Sequence, residues 1–402
     1  MIDTPWPAGP FEFSEVLRIA LALLWAVIAS EAMRRFVRLP RIAGYALAGL
    51  TLGPMGLGWF GVHDLPHYRM LIDLALALLL FELGVQVNLR WLRTNLWVVA
   101  GSLLESGLAF AAVYGLLSYV FHMEGKLSAV IAAIAMGTSP AVVMRVAADL
   151  QAQGQVSQRM MVMTALNTAY AIIASKLIIG ELHGVFKGDW VLAVMHPLYL
   201  LLGSFGMGAA LAIGFKLLRR HFDFTDDQGG VLLFALLLLL LAALEALNLP
   251  SGLAPLVGGI MVKFIDPRPH LWPRYFGTVG AVLFILLFVL TGTAVTWHDL
   301  AVGGGVAVAL LLVRTLAKGC GAVAFGPVSG LSLRQSLLLG FALTPMAALA
   351  LVLVQDVRLI YPAFGNEAAS VVLTLMVALE LVGAIAVQWA LRMACETREG
   401  GR

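Results

Sequence analysis

The sequence predicts an all-α, polytopic membrane protein with about thirteen transmembrane helices, and three observations carry that prediction. Of the 402 residues, 61% are hydrophobic and only 12% are charged, whereas soluble domains carry roughly 25% charged residues. The apolar residues gather in runs comparable to the roughly 20 residues of helix that cross a bilayer. Runs such as "GGVLLFALLLLLLAALEAL" (229–247) show no two-residue alternation, which excludes a membrane β-barrel.

The first span, 14–33, follows the acidic, Pro-rich start "MIDTPWPAGPFEFSE". A secretory signal would start basic, so no cleavable signal peptide is expected. The second span, 42–61, is short and Gly-rich, and so is the ninth, 252–265. The third and fourth, 70–87 and 95–121, flank a short basic connection holding Arg90 and Arg93. The fifth, 127–148, carries a central proline, and the sixth, 160–181, contains "ALNTAYAIIASK" (165–176). Spans seven to thirteen occupy 190–217, 229–247, 252–265, 274–297, 300–327, 332–355 and 367–393. The two cysteines, Cys320 and Cys395, have neither disulfide nor metal-binding spacing.

Basic residues test this count through the positive-inside bias of membrane proteins. Alternate connections hold Arg34, Arg35, Arg38 and Arg41; Arg90 and Arg93; Arg145 and Arg159; Lys216, Arg219 and Arg220; Lys263, Arg268 and Arg274; Arg334; and Arg392, Arg398 and Arg402. These eighteen face Arg69, Lys126, Lys187 and Arg358 on the other side. The expected orientation is N terminus outside and C terminus cytoplasmic. With few residues after the last span and no long hydrophilic linker, one membrane domain over 1–402, without a C-terminal soluble regulatory domain, is expected.

Transporters are often built from inverted repeats whose substrate site lies where matching helices are interrupted near mid-membrane. The fifth span reads "AIAMGTSPAVVMRV" (133–146) and the twelfth "LLGFALTPMAALAL" (338–351). Both put Thr and Pro near the centre, at Thr138-Ser139-Pro140 and Thr344-Pro345. A proline removes one backbone donor and frees a carbonyl a turn earlier. By the charge count, spans four to six and eleven to thirteen run in opposite directions, each with the break in its second member. The alternative is that proline is simply tolerated in membrane helices, where neighbours satisfy the freed groups.

These features resemble the cation:proton antiporter superfamily, in its monovalent cation:proton antiporter-2 branch (sodium/proton exchanger fold). "RIAGYALAGLTLGP" (41–54) is similar to the family's second-span signature and "LLLFELGVQVNLRWLR" (78–93) to its third span. "LEALNLPSGLAPLVGGIMV" (244–262) and "ALELVGAIAVQWAL" (378–391) look like the mid-chain and final-span patterns. "AKGCGAVAFGPVSGLSLRQSLLLGFALTP" (317–345) matches the region of spans eleven and twelve. The resemblance implies inverted repeats with two crossed, Pro-broken helices (spans 5 and 12) and core triplets over about 95–181 and 300–393. It further implies elevator-like alternating access, a homodimer, and the inner (plasma) membrane. The family's sixth-span motif usually ends in Asp; here the matching residues are Asn167 and Thr168. The basic residue of the eleventh span corresponds to Lys318. Where the family often has Arg-Gly-Glu after the second proline, this chain has Met346-Ala347-Ala348.

Ionisable residues inside spans are functional suspects, because a charge at a helix centre costs about 2.5–3.5 kcal/mol on insertion scales. Lys318 is the foremost, although a lysine can also snorkel towards an interface. Arg314, one turn earlier on the same face, suits holding broken-helix carbonyls. Glu82 and Glu105 are secondary candidates for the missing carboxylate; Glu82 could equally pair with Arg90 or Arg93. Glu380 lies inside the family's Glu-Leu pattern and reads as structural, while Glu245 and Lys176 fall towards helix ends. Thr138, Ser139, Asn167, Thr168 and Thr344, with carbonyls freed at Pro140 and Pro345, offer neutral oxygens for a dehydrated Na⁺ or K⁺ but carry no proton near neutral pH. "HDLPH" (63–67) reads as a solvated loop. No phosphate loop, zinc signature or nucleophile motif is present.

The expected function is exchange of Na⁺ or K⁺ for protons by a secondary transporter, with no cofactor, no bound metal beyond the transported cation, no enzymatic activity and no nucleic-acid partner. The alternative is a transporter fold that has lost proton coupling: a uniporter-like path, a carrier of another solute, or a sensor.

Overall fold

A computed structural model describes residues 14–61, 64–187, 190–222, 226–265 and 276–397, and all regular structure among them is helical. His63, Arg268, Arg274, Arg398 and Arg402, together with the segment before residue 14, lie outside the described residues. The helices are α1 (Glu15–Ala32), α2 (Arg41–Leu52), α3 (Arg69–Gln86), α4 (Leu89–Thr94), α5 (Leu96–Gly115), α6 (Gly125–Ala135), α7 (Pro140–Asp149) and α8 (Gln155–Lys187). They continue as α9 (Trp190–His221), α10 (Asp226–Ala246), α11 (Leu253–Ile265), α12 (Gly277–Thr293), α13 (Trp297–Phe325), α14 (Leu333–Ala342), α15 (Leu349–Ile360) and α16 (Pro362–Met393). α1 and α5 each run on into a π-helical turn, Met33–Val37 and Leu116–Val120. Among the described residues, setting aside the short α4 and pairing α6 with α7 and α14 with α15 gives thirteen candidate spans, in the order the sequence predicts.

Some boundaries differ. The second span is helical only to Leu52, because Gly53-Pro54 ends α2; the chain then folds back, with Trp59 N and Phe60 N donating to Leu52 O at 2.9 and 3.2 Å. Hydropathy alone carries the span on to 61. α2 stays buried despite its length because its small residues admit neighbouring backbones: a Cβ on Gly49 would collide with Val289 O of α12. The sixth span is longer than 160–181, extending from Gln155 to Lys187.

Two sets of helices emerge from the packing. α11 lies on α3 and α9, and α12 on α2 and α3; α13 packs on α5 and α16, and α6 on α5 and α8. The broken helices run in opposite directions. At one end of the molecule Arg334, at the start of α14, donates to Met393 O at 3.0 Å. Asp149, at the end of α7, shares a cleft there with Arg34, Arg38, Arg41 and Arg392. At the other end Asp356, late in α15, pairs with Lys176 at 2.8 Å and Arg69 at 3.4 Å.

The first end is also tied by Glu396. Its carboxylate accepts from Val156 N, Ser157 N and Ser157 Oγ, each at 2.7 Å. An anion at the N-terminal end of α8 is favoured by the helix dipole and by the free N–H groups of the first turn.

Candidate functional site

The two breaks meet at the centre of the second set of helices. Ser139 N donates to Pro345 O at 3.0 Å, and Thr138 Oγ1 donates to Leu343 O at 3.3 Å. The prolines sit at the breaks, as the sequence predicts. Pro140 occupies the first turn of α7, where a missing N–H costs nothing, and Ser139 caps that helix by accepting from Val142 N at 3.3 Å. Pro345 lies in the extended stretch between α14 and α15.

Unwinding leaves carbonyls without helical partners, and two basic residues of α13 take them. Arg314 donates through Nε to Ala135 O at 2.7 Å, through Nη2 to Gly137 O at 2.7 Å, and through Nη1 to Thr344 O. The planar guanidinium presents several donors at fixed angles, so one side chain bolts both breaks together. Lys318 Nζ bonds Glu105 Oε1, Met136 O at 3.1 Å and Thr138 Oγ1 at 3.2 Å. An ammonium has three N–H groups, and all three are used. Lys318 is fully buried, which removes the snorkelling alternative.

Glu105 places a carboxylate at the crossing. It sits on α5, fully buried, in an ion pair with Lys318. The helices come close enough for this because α13 has Gly321 against the Glu105 backbone; a Cβ there would overlap Glu105 Cα. Asn167 completes the cluster. Its Nδ2 donates to Glu105 Oε2 at 2.7 Å and Thr138 Oγ1 at 3.1 Å, and its Oδ1 accepts from Ser102 Oγ at 2.8 Å and Ser106 Oγ at 2.9 Å. The Thr138 hydroxyl therefore donates once and accepts twice. Thr168 is spent on backbone, donating to Thr164 O at 2.8 Å with Thr138 O at 3.2 Å.

The structure thus gathers Thr138, Ser139, Pro140, Asn167, Thr168, Lys318, Thr344 and Pro345, and adds Glu105 and Arg314. Glu82 is not among them. It lines a separate cleft with Arg145, Ala141 and Phe284, between α3, α7 and α12. Arg93 stacks over Phe264. Ser102 and Ser106 went unnoticed in the sequence, where two serines four apart around Glu105 mark one polar helix face. No group of three or more His, Cys, Asp or Glu residues suited to a metal occurs among the described residues.

An all-helical membrane domain with two antiparallel broken helices crossing over buried charges defines an ion-transporter class of fold. The chain belongs to the sodium/hydrogen exchanger family, whose transmembrane model matches residues 19–392; this is a family of transporters rather than enzymes. Its fold is similar to that of the sodium proton antiporter MjNhaP1 from Methanocaldococcus jannaschii, in a structure at pH 8 with a TM-score of 0.75 and 17% identity, covering 95% of this chain and 98% of that one. A structure of the same antiporter from an electron-microscopy map gives a TM-score of 0.76 at 17% identity, covering 94% and 96% of the two chains.

Proposed function

We propose that the protein exchanges Na⁺, or K⁺, for protons, with Glu105 as the coupling carboxylate and Lys318 as its resident competitor. The observation that carries this is the environment of Lys318 Nζ. A carboxylate oxygen, a backbone carbonyl and a hydroxyl surround it, and these hard oxygens also suit a dehydrated alkali cation. The ammonium and the cation therefore contend for one set of ligands. When Lys318 gives up its proton or withdraws, Glu105 Oε1, Met136 O and Thr138 Oγ1 are freed for the cation. When the cation leaves, reprotonation restores the pair. Asn167 holds Glu105 Oε2 throughout, and Arg314 keeps the breaks open.

The same reading assigns the chain to the monovalent cation:proton antiporter-2 branch, as a member whose sixth-span Asp is replaced by Thr168. It takes 1–402 as one transport domain of a homodimer in the plasma membrane. The triplets of about 95–181 and 300–393 move as an elevator against the remaining helices. The arginine-lined cleft at one end supports that end as cytoplasmic, with the C terminus there and the N terminus outside.

Proton flux in proteoliposomes across Na⁺, K⁺, Li⁺ and choline tests the proposal. Na⁺ or K⁺ is expected to dissipate an imposed pH gradient, with the effect lost in Glu105→Gln and Lys318→Ala and kept in Glu82→Gln. Full exchange by Glu105→Gln would sink the carboxylate assignment. Cation binding without proton movement in the unmodified protein would favour the uncoupled alternative.

A further inference from the structure

A second carboxylate lies buried away from the crossing. Glu380 of α16 is 1% exposed, and its Oε1 has no hydrogen-bond partner. Its Oε2 lies 3.5 Å from Thr291 Oγ1 of α12, a fully buried hydroxyl. Thr291 has one proton, and it is already engaged by Phe288 O at 3.0 Å. Shared in this way, the hydroxyl proton gives the carboxyl group only a weak second contact at 3.5 Å.

Among the described residues, the basic groups on the helices around Glu380 are placed or engaged elsewhere. α12 contains no titratable residue. On α13, Arg314 and Lys318 are committed to the crossing. On α7, Arg145 pairs with Asp149 at 3.5 Å. On α15, Asp356 pairs with Lys176 at one end of the molecule and Arg358 lines a cleft with Asp299 and Glu367, and on α14, Arg334 reaches Met393 O at the other end. Lys126 lies at the start of α6. On α2, Arg41 lies at the helix start, 3.6 Å from Glu31, and Tyr45 packs edge-on to Phe284. A buried carboxylate without a protein cation beside it costs several kcal/mol, so this one in a packed interface calls for an explanation.

The position supplies one. Thr291 is held on the α2–α12 pair, next to the close approach of Gly292 to Gly49. One turn past Glu380, Gly383 lies against Pro345 of the second break. Glu380 therefore spans the contact between the set of helices that carries the crossing and the set that does not. We propose that Glu380 is a second proton-binding residue of the exchange cycle, loaded beside Thr291 while α16 and α12 are in contact, and releasing its proton to water when they slide apart. The proposal rests on the exchange reading above.

Infrared difference spectroscopy of the full-length protein, unmodified against Glu380→Gln, reads the proton directly. A carboxylic C=O band is expected in the unmodified protein and absent from the variant; no such difference overturns the proposal. Thr291→Val, which preserves shape, is expected to move that band towards the frequency of an unbonded acid, and an unmoved band overturns the Thr291 contact. In proteoliposomes, Glu380→Gln is expected to keep cation-driven proton movement with one proton fewer per cation and an altered pH profile. An unchanged proton count and profile overturns the transport role. If the unmodified protein moves no protons with Na⁺ or K⁺, the exchange reading fails, and the infrared result still decides whether Glu380 holds a proton.

Discussion

The two breaks occupy matching places but are held differently. The first has its own polar side chains: Ser139 caps α7, and the Thr138 hydroxyl is saturated by Leu343 O, Asn167 and Lys318. The second has almost none. α15 begins without a side-chain cap, and Thr344 Oγ1 makes no hydrogen bond. Its carbonyls at Leu343, Thr344 and Pro345 are met by Thr138, Arg314 and Ser139 N. The apolar Met346-Ala347-Ala348 stretch is thus tolerated because its polar partners come from elsewhere in the chain, and the two breaks stand or fall together.

Removing the shared partner is expected to do the most damage. Arg314→Ala strands the carbonyls of Ala135, Gly137 and Thr344, at about 1–3 kcal/mol for each buried group left unpaired. Little monodisperse protein should survive fluorescence-detected size exclusion. Arg314→Lys should fall between, since a point-like ammonium cannot fork to three carbonyls. Recovery of Arg314→Ala at the unmodified level would break the idea that one guanidinium holds both sites.

Next come Glu105→Gln and Lys318→Met taken singly, each leaving an unpaired buried charge at a cost of roughly 3–5 kcal/mol. The double variant should regain most of the melting temperature and none of the exchange. Lasting instability in the double variant would mean that the pair holds the fold rather than serving transport.

Ser139→Ala removes a cap worth about 1 kcal/mol, a modest drop in melting temperature that sharpens the contrast with the second break. Thr344→Val should stay within about 0.5 kcal/mol of the unmodified protein, because its hydroxyl holds nothing. If the cation passes that hydroxyl, apparent Na⁺ affinity falls in this variant while stability does not.

Much of this architecture was legible in the chain. The spans follow from hydropathy and the breaks from Thr-Ser-Pro and Thr-Pro at two central positions, because lipid leaves the backbone few alternatives. Less visible was which helix delivers the carboxylate. Glu105 and Glu82 look alike along the sequence, each a lone acid in an apolar run. Only packing, through the close approach at Gly321, turns Glu105 towards Lys318 while Glu82 sits beside Arg145. Residue types alone also gave no reason to connect Thr291 with Glu380, which meet across 89 positions of chain. The early stop of α2 was readable at Gly53-Pro54 but masked by the apolar residues after it.

The carboxylate of Glu396, set on the first turn of α8, has a mechanical meaning. It clamps the far end of α16 to the base of the helix that presents Asn167. The C-terminal segment near Cys395 and the helix that carries the candidate site thus share one anchor at the base of α8.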